Sequence, residues 1–211
     1  MTSLSDPLSD PSSGSLPDPL SDPPVTLLPM DANEFWNIVD EARRTAASPT
    51  GDDEAVAERA AALLAARPVA EIVAAQQVLW DLMAESYRAP LWAAAYTING
   101  GCSDDGFDYF RGWLILQGRE VFERVVADPD SLAELPVVQE AAEEWLPVEC
   151  EDTLGIAWDA HRTATGEDMP DGFSIRYPEL DPSWNYDFED WERTGRRLPR
   201  LAALYAKHVA D

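Results

Sequence analysis

The chain has 211 residues, of which 45% are hydrophobic, and this is enough for one ordinary folded domain with an apolar core. Lysine and arginine together number 15 against 40 aspartate and glutamate residues, so the formal net charge is −25. Such a surface repels nucleic-acid phosphates and anionic lipid headgroups, so neither a nucleic acid nor a membrane is expected as a partner. A basic protein is compatible with it, because opposite charges speed association.

Cysteine content and hydropathy indicate the compartment. Cys102 and Cys150 are too few for a disulfide framework, and neither stands in a CxxC motif of the kind that binds zinc. The first residues lack the basic and apolar regions of a signal peptide, and no apolar run reaches the roughly 18–20 residues of a membrane span. We therefore expect a cytoplasmic protein with reduced cysteines.

Residues 1–29 are composed mostly of serine, aspartate, proline and leucine in a ragged repeat, of which Ser5-Asp-Pro-Leu and Pro17-Asp-Pro-Leu are examples. Repeated proline blocks helical and ladder hydrogen bonds, and there are few bulky apolar residues to offset the entropy of ordering. We predict a disordered tail over 1–29 and a helical domain over 30–211. The tail is either a tether or docking segment, or a region without a role.

Helical signals begin near Met30. Asp31 and Glu34 have capping-box spacing, and apolar residues then recur at helical intervals. A loop is expected at 48–51, followed by an alanine-rich helix over 55–66 and by helices that start near the prolines at 68 and 90. The last of these is short and apolar on all sides, which predicts that it is buried.

A turn of unusual composition follows this buried helix. Gly100 and Gly101 are expected to end the helix in the left-handed conformation, and Ser103 or Asp104 to cap the next one. That next helix carries large apolar residues on several faces, so it is predicted to lie at the centre of the core. Gly118 then either ends it or kinks it into the segment 119–127.

The second half of the chain has further helical patterns over 137–146, 150–163, 187–194 and 198–209. Residues 165–185 combine glycine, proline and aromatic residues, and are interpreted as a long ordered loop packed by its rings. No segment shows convincing alternation of period two, and 175–177 is only a weak strand candidate. The fold class is therefore all-α, a compact single domain of about seven to nine helices.

The turn and the helix after it form the candidate ligand-binding site. Its residues are Cys102, Ser103, Asp104, Asp105, Asp108, Arg111 and Gln117. The three aspartates could hold a divalent cation such as Mg²⁺ or Ca²⁺, which prefer oxygen ligands. Alternatively, the serine and the first two aspartates cap the helix, while the third pairs with the arginine three residues later. No catalytic residue is identified and no cofactor is expected.

Two further features have competing interpretations. Cys102 precedes a helix N-terminus, which can lower the pKa of a thiol, so Cys102 and His161 could form a nucleophile and base; the alternative is a buried thiol that packs as a small apolar residue. Trp184 and Trp191 lie in the polar C-terminal third and are expected to be exposed. They could anchor a basic partner, or simply pack the loop.

Several short runs together resemble one bacterial family. They are Phe35-Trp36, Leu91-Trp-Ala-Ala-Ala-Tyr96, Gly100-Gly-Cys-Ser-Asp-Asp-Gly-Phe107, Phe110-Arg-Gly-Trp-Leu-Ile115, Gln117-Gly-Arg-Glu-Val-Phe122 and Asp128-Pro-Asp-Ser-Leu132. The chain resembles the uncharacterised family called domain of unknown function 4240, and the likeness is clearest over residues 30–135. The resemblance implies an all-α fold and supplies no reaction, cofactor or partner.

Three functional hypotheses follow. The first is a small acidic interaction module that binds a protein partner, possibly a basic one, and it is favoured by the charge and by the lack of a catalytic signature. The second is an enzyme or a ligand-binding protein that uses the region 101–117. The third is a structural subunit of a larger assembly. The sequence does not determine an oligomeric state.

Overall fold

The structure is a computed structural model that describes residues 30–46 and 52–209, and these residues form helices and irregular segments without any β-strand. The all-α prediction is therefore confirmed, and the predicted disordered tail lies outside the described residues. The α-helices are α1 (Ala32–Thr45), α2 (Asp53–Ala65), α3 (Val69–Glu85), α4 (Ala89–Asn99), α5 (Asp104–Leu116), α6 (Arg119–Ala127), α7 (Pro136–Glu144), α8 (Ile156–Thr165), α9 (Trp191–Arg197) and α10 (Pro199–Val209). Three short 3-10 helices join them: η1 (Pro129–Glu134), η2 (Glu151–Gly155) and η3 (Pro182–Trp184).

Side-chain caps fix where several helices begin. Asp31 and Glu34 form the predicted capping box at α1, each side chain bonding the backbone N–H of the other residue. Asp52 caps α2, and Ser103 caps α5 by accepting from the backbone N–H of Gly106 at 3.1 Å. A cap supplies a partner for an N–H that the helix itself leaves free, which typically contributes about 1 kcal/mol.

Glycine ends the two helices around the candidate site. Gly100 follows α4 with φ of +66°, and Gly118 separates α5 from α6 with φ of +85°. A side chain is strained in this region of backbone space, so glycine is the favoured residue at both turns. Gly118 therefore ends α5, which decides between the two alternatives that the sequence left open.

Helix α5 lies at the centre of the core, as predicted. It packs against α2, α3, α4, α6 and η2. From Phe110 to Leu116 every side chain is buried, and the buried apolar residues of the whole described region form one cluster that runs from Met30 to Tyr205. A helix that is apolar on all faces is stable only where neighbours surround it.

The segment between α8 and α9 is irregular but ordered, and its rings attach it to the helices. Tyr177 stacks on Tyr87 with ring centroids 4.3 Å apart, and Phe188 meets Tyr96 edge-on. The backbone of Ser174 exchanges two hydrogen bonds with the side chain of Gln77 in α3. The interpretation of this region as a loop packed by its rings is confirmed.

Two expectations for the C-terminal third were wrong. The helix predicted over 187–194 is α9 and begins at Trp191, because Asp187 turns the backbone at Glu189 and Asp190 caps the helix. Trp184 and Trp191 are half-buried rather than exposed, and Trp184 is covered by the ring of Tyr186 and the guanidinium of Arg197. The exposed tryptophans of the described region are instead Trp145 and Trp158.

No helix among the described residues is long and apolar enough to cross a membrane.

Candidate functional site

The first turn of α5 carries the serine and aspartates of the candidate site. Ser103, Asp104 and Asp105 are all exposed, and Ser103 makes the helix cap. Negative side chains at this position interact favourably with the positive end of the helix dipole. The geometry here is that of the capping alternative.

Arg111 occupies the centre of the site and is fully buried. Its guanidinium donates to the backbone carbonyls of Met83 and Phe107 and to the carboxylate of Asp108. The guanidinium carbon also lies 4.7 Å from the ring centroid of Phe107, 5.1 Å from that of Tyr87 and 5.2 Å from that of Tyr177. Every part of this cation therefore has a partner within the protein, so no face of it is free for an anionic ligand.

Asp108 pairs with Arg111, as the helical spacing suggested. Burial raises the pKa of the Asp108 carboxyl above its ordinary value, and the nearby guanidinium opposes this shift only in part. Asp108 and Arg111 thus form a pair, while Asp104 is a solvent-exposed carboxylate. Within the described residues, no group of three or more histidine, cysteine, aspartate or glutamate side chains is placed to hold a metal ion.

Cys102 is half-buried beside this turn, and its environment opposes thiolate chemistry. Burial, with the negative charge of Glu149 as the next cause, raises the pKa of the thiol to about 12. His161 lies elsewhere, on α8, with its Nδ1 3.1 Å from the backbone carbonyl of Glu167. In residues 30–46 and 52–209 no hydrogen bond joins Cys102 to His161, so the nucleophile–base pair is not assembled.

Cys102 nevertheless lines a groove of about 580 Å³ between α4 and the segment before α9, which we call the aromatic groove. Its walls carry five aromatic side chains: Trp92, Tyr96, Trp184, Tyr186 and Phe188. Among the residues that the structure describes, Asp181 and Asp187 are the only charged ones in its lining. The sequence did not predict this groove, because its two walls are about 90 residues apart in the chain.

The far end of α5 reaches a second groove. Gln117 donates to the carboxylate of Asp53 over 3.1 Å, and Asp53 lines a groove of about 540 Å³ between α2, α7 and the segment 146–149. Burial raises the pKa of Asp53, although its hydrogen bonds from Gln117 and Trp113 and the charge of Arg43 oppose the shift. Gln117 is therefore the one predicted site residue that holds a groove-lining carboxylate.

This second groove, which we call the acidic groove, is lined within the described part of the chain by six carboxylates and by no basic side chain. They are Asp52, Asp53, Glu54, Glu140, Glu144 and Glu149. The apolar part of the lining includes Trp113 and Leu146, and the side chain of Asn99 holds the wall 146–149 by two hydrogen bonds to the backbone of Val148.

The acidic groove was not predicted from the sequence. Its only local signal was the run of three acidic residues at 52–54, and the other three carboxylates lie near residues 140–149.

The comparisons with known proteins identify the family of this chain. The family model described as "Protein of unknown function (DUF4240)" matches residues 30–163, which is more than half of the chain. The protein therefore belongs to this family, as its sequence motifs suggested. No curated protein and no solved structure matches the chain.

The two grooves differ in how much of their lining falls within the residues that the family model matches. All residues of the acidic groove lie within the matched range, whereas one wall of the aromatic groove, residues 180–188, lies beyond it. The acidic groove is thus built wholly from the family's own helices, and the aromatic groove is completed by the C-terminal segment.

Proposed function

We propose that this protein is an interaction module that binds a basic segment of a protein partner in the acidic groove. The observation that carries the proposal is the lining of that groove. Six carboxylates from the start of α2, from α7 and from the segment 146–149 converge on one concave surface, and no lysine or arginine among the residues 30–46 and 52–209 lines it.

Electrostatics favour a cationic occupant. Like charges that converge on a concave surface of low dielectric reinforce one another, which raises the local concentration of a positively charged partner and speeds its association. The net charge of −25 acts in the same direction at longer range. Burial raises the pKa of Asp53, and the nearby charge of Asp52 adds to this shift to a smaller extent, so the folded protein holds a proton there more tightly than an unfolded chain does.

Apolar anchors accompany the charges. Trp145 and Leu146 are 48% and 51% exposed, and Leu146 lines the groove itself. Trp145 has φ of +55°, the left-handed region that a side chain rarely adopts, and its backbone N–H closes α7 by bonding to Ala141. Exposed aromatic and aliphatic side chains beside complementary charge are the usual composition of a binding hot spot.

A protein partner in the cytoplasm is part of the proposal. Both cysteines are free thiols, which is the usual state in a reducing compartment. The same carboxylates would repel the phosphates of nucleic acids and the headgroups of anionic membranes, so neither is proposed as a partner.

The test uses a short arginine-rich peptide and two double variants of equal charge. Glu140→Gln with Glu144→Gln removes two carboxylates from the groove, while Glu120→Gln with Glu143→Gln removes two exposed carboxylates that do not line it. Binding is measured by calorimetry between about 50 and 500 mM salt, a range over which surface charges become screened.

We expect the groove variant to bind the peptide about three- to tenfold more weakly than wild type, and the control variant to bind like wild type. Affinity should also fall as salt rises. Equal losses in both variants would show that net charge or another surface is responsible, and an affinity independent of salt would show that the binding is not electrostatic. Either result would refute the proposed site. If the groove variant alone binds the peptide more weakly, tagged wild type and groove variant are purified from the host at low salt. The partner is then the protein that only wild type retains.

A further inference from the structure

We propose that the aromatic groove is a binding site for a small organic cation, a ligand with a quaternary ammonium, amidinium or guanidinium head group. This inference is independent of the acidic groove, with which the aromatic groove shares no lining residue, and it concerns a small molecule rather than a protein partner.

The walls of the groove bring aromatic faces together from two parts of the chain. Trp92 and Tyr96 come from α4, and Trp184, Tyr186 and Phe188 come from the segment before α9. The rings are ordered by one another: Tyr186 meets Phe188 edge-on with centroids 5.4 Å apart, and Phe188 meets Tyr96 edge-on at 6.0 Å. Several aromatic side chains around one concave space form the kind of site that attracts alkylated or delocalised cations.

The protein already uses two of these rings to bind guanidinium groups. Arg197 lies over Trp184 with its guanidinium carbon 4.5 Å from the ring centroid, and Arg193 lies over Tyr186 at 4.1 Å. Both arginines belong to α9 and neither lines the groove. The rings of this segment are therefore cation partners within the chain, and both Trp184 and Tyr186 also line the groove.

The charges of the groove select the same class of ligand. Asp181 and Asp187 line it and no lysine or arginine does. Backbone hydrogen bonding at Ser183 lowers the pKa of Asp181, which keeps this carboxylate ionised at neutral pH. The neighbouring carboxylate of Glu189 accepts a hydrogen bond from the hydroxyl of Tyr96 at 3.2 Å, so a further negative charge lies next to this lining residue.

The volume of about 580 Å³ sets the size of the ligand, since grooves of this size hold small molecules. The neutral thiol of Cys102 and the apolar Leu180 and Pro182 line the same space, so an apolar body attached to the cationic head has a surface to contact.

The experiment compares cations with neutral molecules of the same shape. Benzamidine is compared with benzamide, and choline with 3,3-dimethylbutan-1-ol, by calorimetry and by quenching of tryptophan fluorescence in the full-length protein. We expect at least one cation to bind at least tenfold more tightly than its neutral counterpart.

Two variants locate the site. Trp184→Leu should abolish cation binding, and Asp187→Asn should weaken it at least threefold, because asparagine keeps the acceptor for the backbone N–H of Glu189 but removes the charge. The matched controls are Trp158→Leu, on exposed α8 surface, and Asp171→Asn, which does not line the groove; both should bind like wild type.

If Trp184→Leu does not fold, Asp187→Asn still tests the proposal. Equal binding of cation and neutral molecule, no binding at millimolar concentrations, or an undiminished affinity in Asp187→Asn would each overturn the proposal. The double variant Glu140→Gln with Glu144→Gln should leave cation binding unchanged, so failure of the acidic groove as a docking site would be seen separately.

Discussion

Gly112→Ala is the change that most directly tests how α5 is fixed in the core. A Cβ atom at Gly112 would lie 2.7 Å from the backbone carbonyl oxygen of Cys150 and 3.1 Å from Cβ of Thr153, both in or beside η2. The backbone N–H of Cys150 also donates to the carbonyl of Tyr109 in α5 at 3.0 Å, so the helix and η2 are held at this short distance. The added methyl group must therefore move backbone rather than a flexible side chain.

The magnitude follows from two opposed terms. Alanine in a helix is favoured over glycine by about 1 kcal/mol, while overpacking a core contact costs about 1–3 kcal/mol, and a backbone contact belongs at the upper end of that range. Gly106→Ala on the same helix is the matched control, because its Cβ would meet only the hydroxyl of Ser103 at 3.3 Å and the thiol of Cys102 at 3.8 Å. Gly112→Ala should accordingly be less stable than wild type by about 2 kcal/mol, whereas Gly106→Ala should be at least as stable as wild type.

Urea unfolding followed by circular dichroism measures this difference directly, and thermal unfolding should show a Tm lower by about 4–8 °C for a domain of this size. The m-value should be the same in both variants if only packing has changed. If Gly112→Ala were as stable as Gly106→Ala, α5 and η2 would not be in close contact, and the position of the wall at 146–149 that η2 follows would be wrong as well.

Two further predictions concern titration. Because the pKa of Asp53 is raised in the folded state, the folded protein binds more protons than the unfolded chain between the ordinary aspartate pKa of about 4 and the raised value, so stability should increase as the pH falls through this window. The unfolding free energy of Asp53→Asn should depend less steeply on pH between 7.5 and 5 than that of wild type. Identical slopes in the two proteins would contradict the raised pKa of Asp53. With a pKa of about 12, Cys102 should be alkylated by iodoacetamide at pH 7.5 two to three orders of magnitude more slowly than a free thiol. Unfolding the protein in urea should restore the rate of a free thiol. Rapid alkylation of the native protein would instead support Cys102 as a nucleophile.

Local signals in the sequence were sufficient for much of the fold. The capping box at Asp31 and the cap at Ser103 depend on residues three positions apart, and both were recognisable because helix caps have short-range patterns. The all-round apolar character of α5 likewise predicted its central position. The pair of Asp108 with Arg111 was predictable for the same reason, since residues three apart on a helix are neighbours.

The contacts that give Arg111 its role could not be predicted from local spacing. The rings of Tyr87 and Tyr177 reach it from 24 residues before and 66 residues after it in the chain. The acidic groove was missed for a similar reason: Asp53 and Glu144 are ordinary acidic residues in separate helices, and only the packing of α2 and α7 around the end of α5 brings them to one surface. Side chains from distant parts of the chain meet only through tertiary packing, and no short stretch of the sequence shows which of them will meet.

The most distinctive run of the sequence, from Gly100 to Gly118, therefore has a physical explanation that differs from that of a catalytic motif. Its charged residues cap α5 or neutralise a buried arginine, and its large apolar residues fill the core on every side. A helix enclosed in this way presents chemistry only where it ends, and here its two ends meet the two grooves, Cys102 at the aromatic groove and Trp113 and Gln117 beside the acidic groove. Substitutions along the enclosed length of the helix should therefore change stability, and substitutions at the groove walls should change binding.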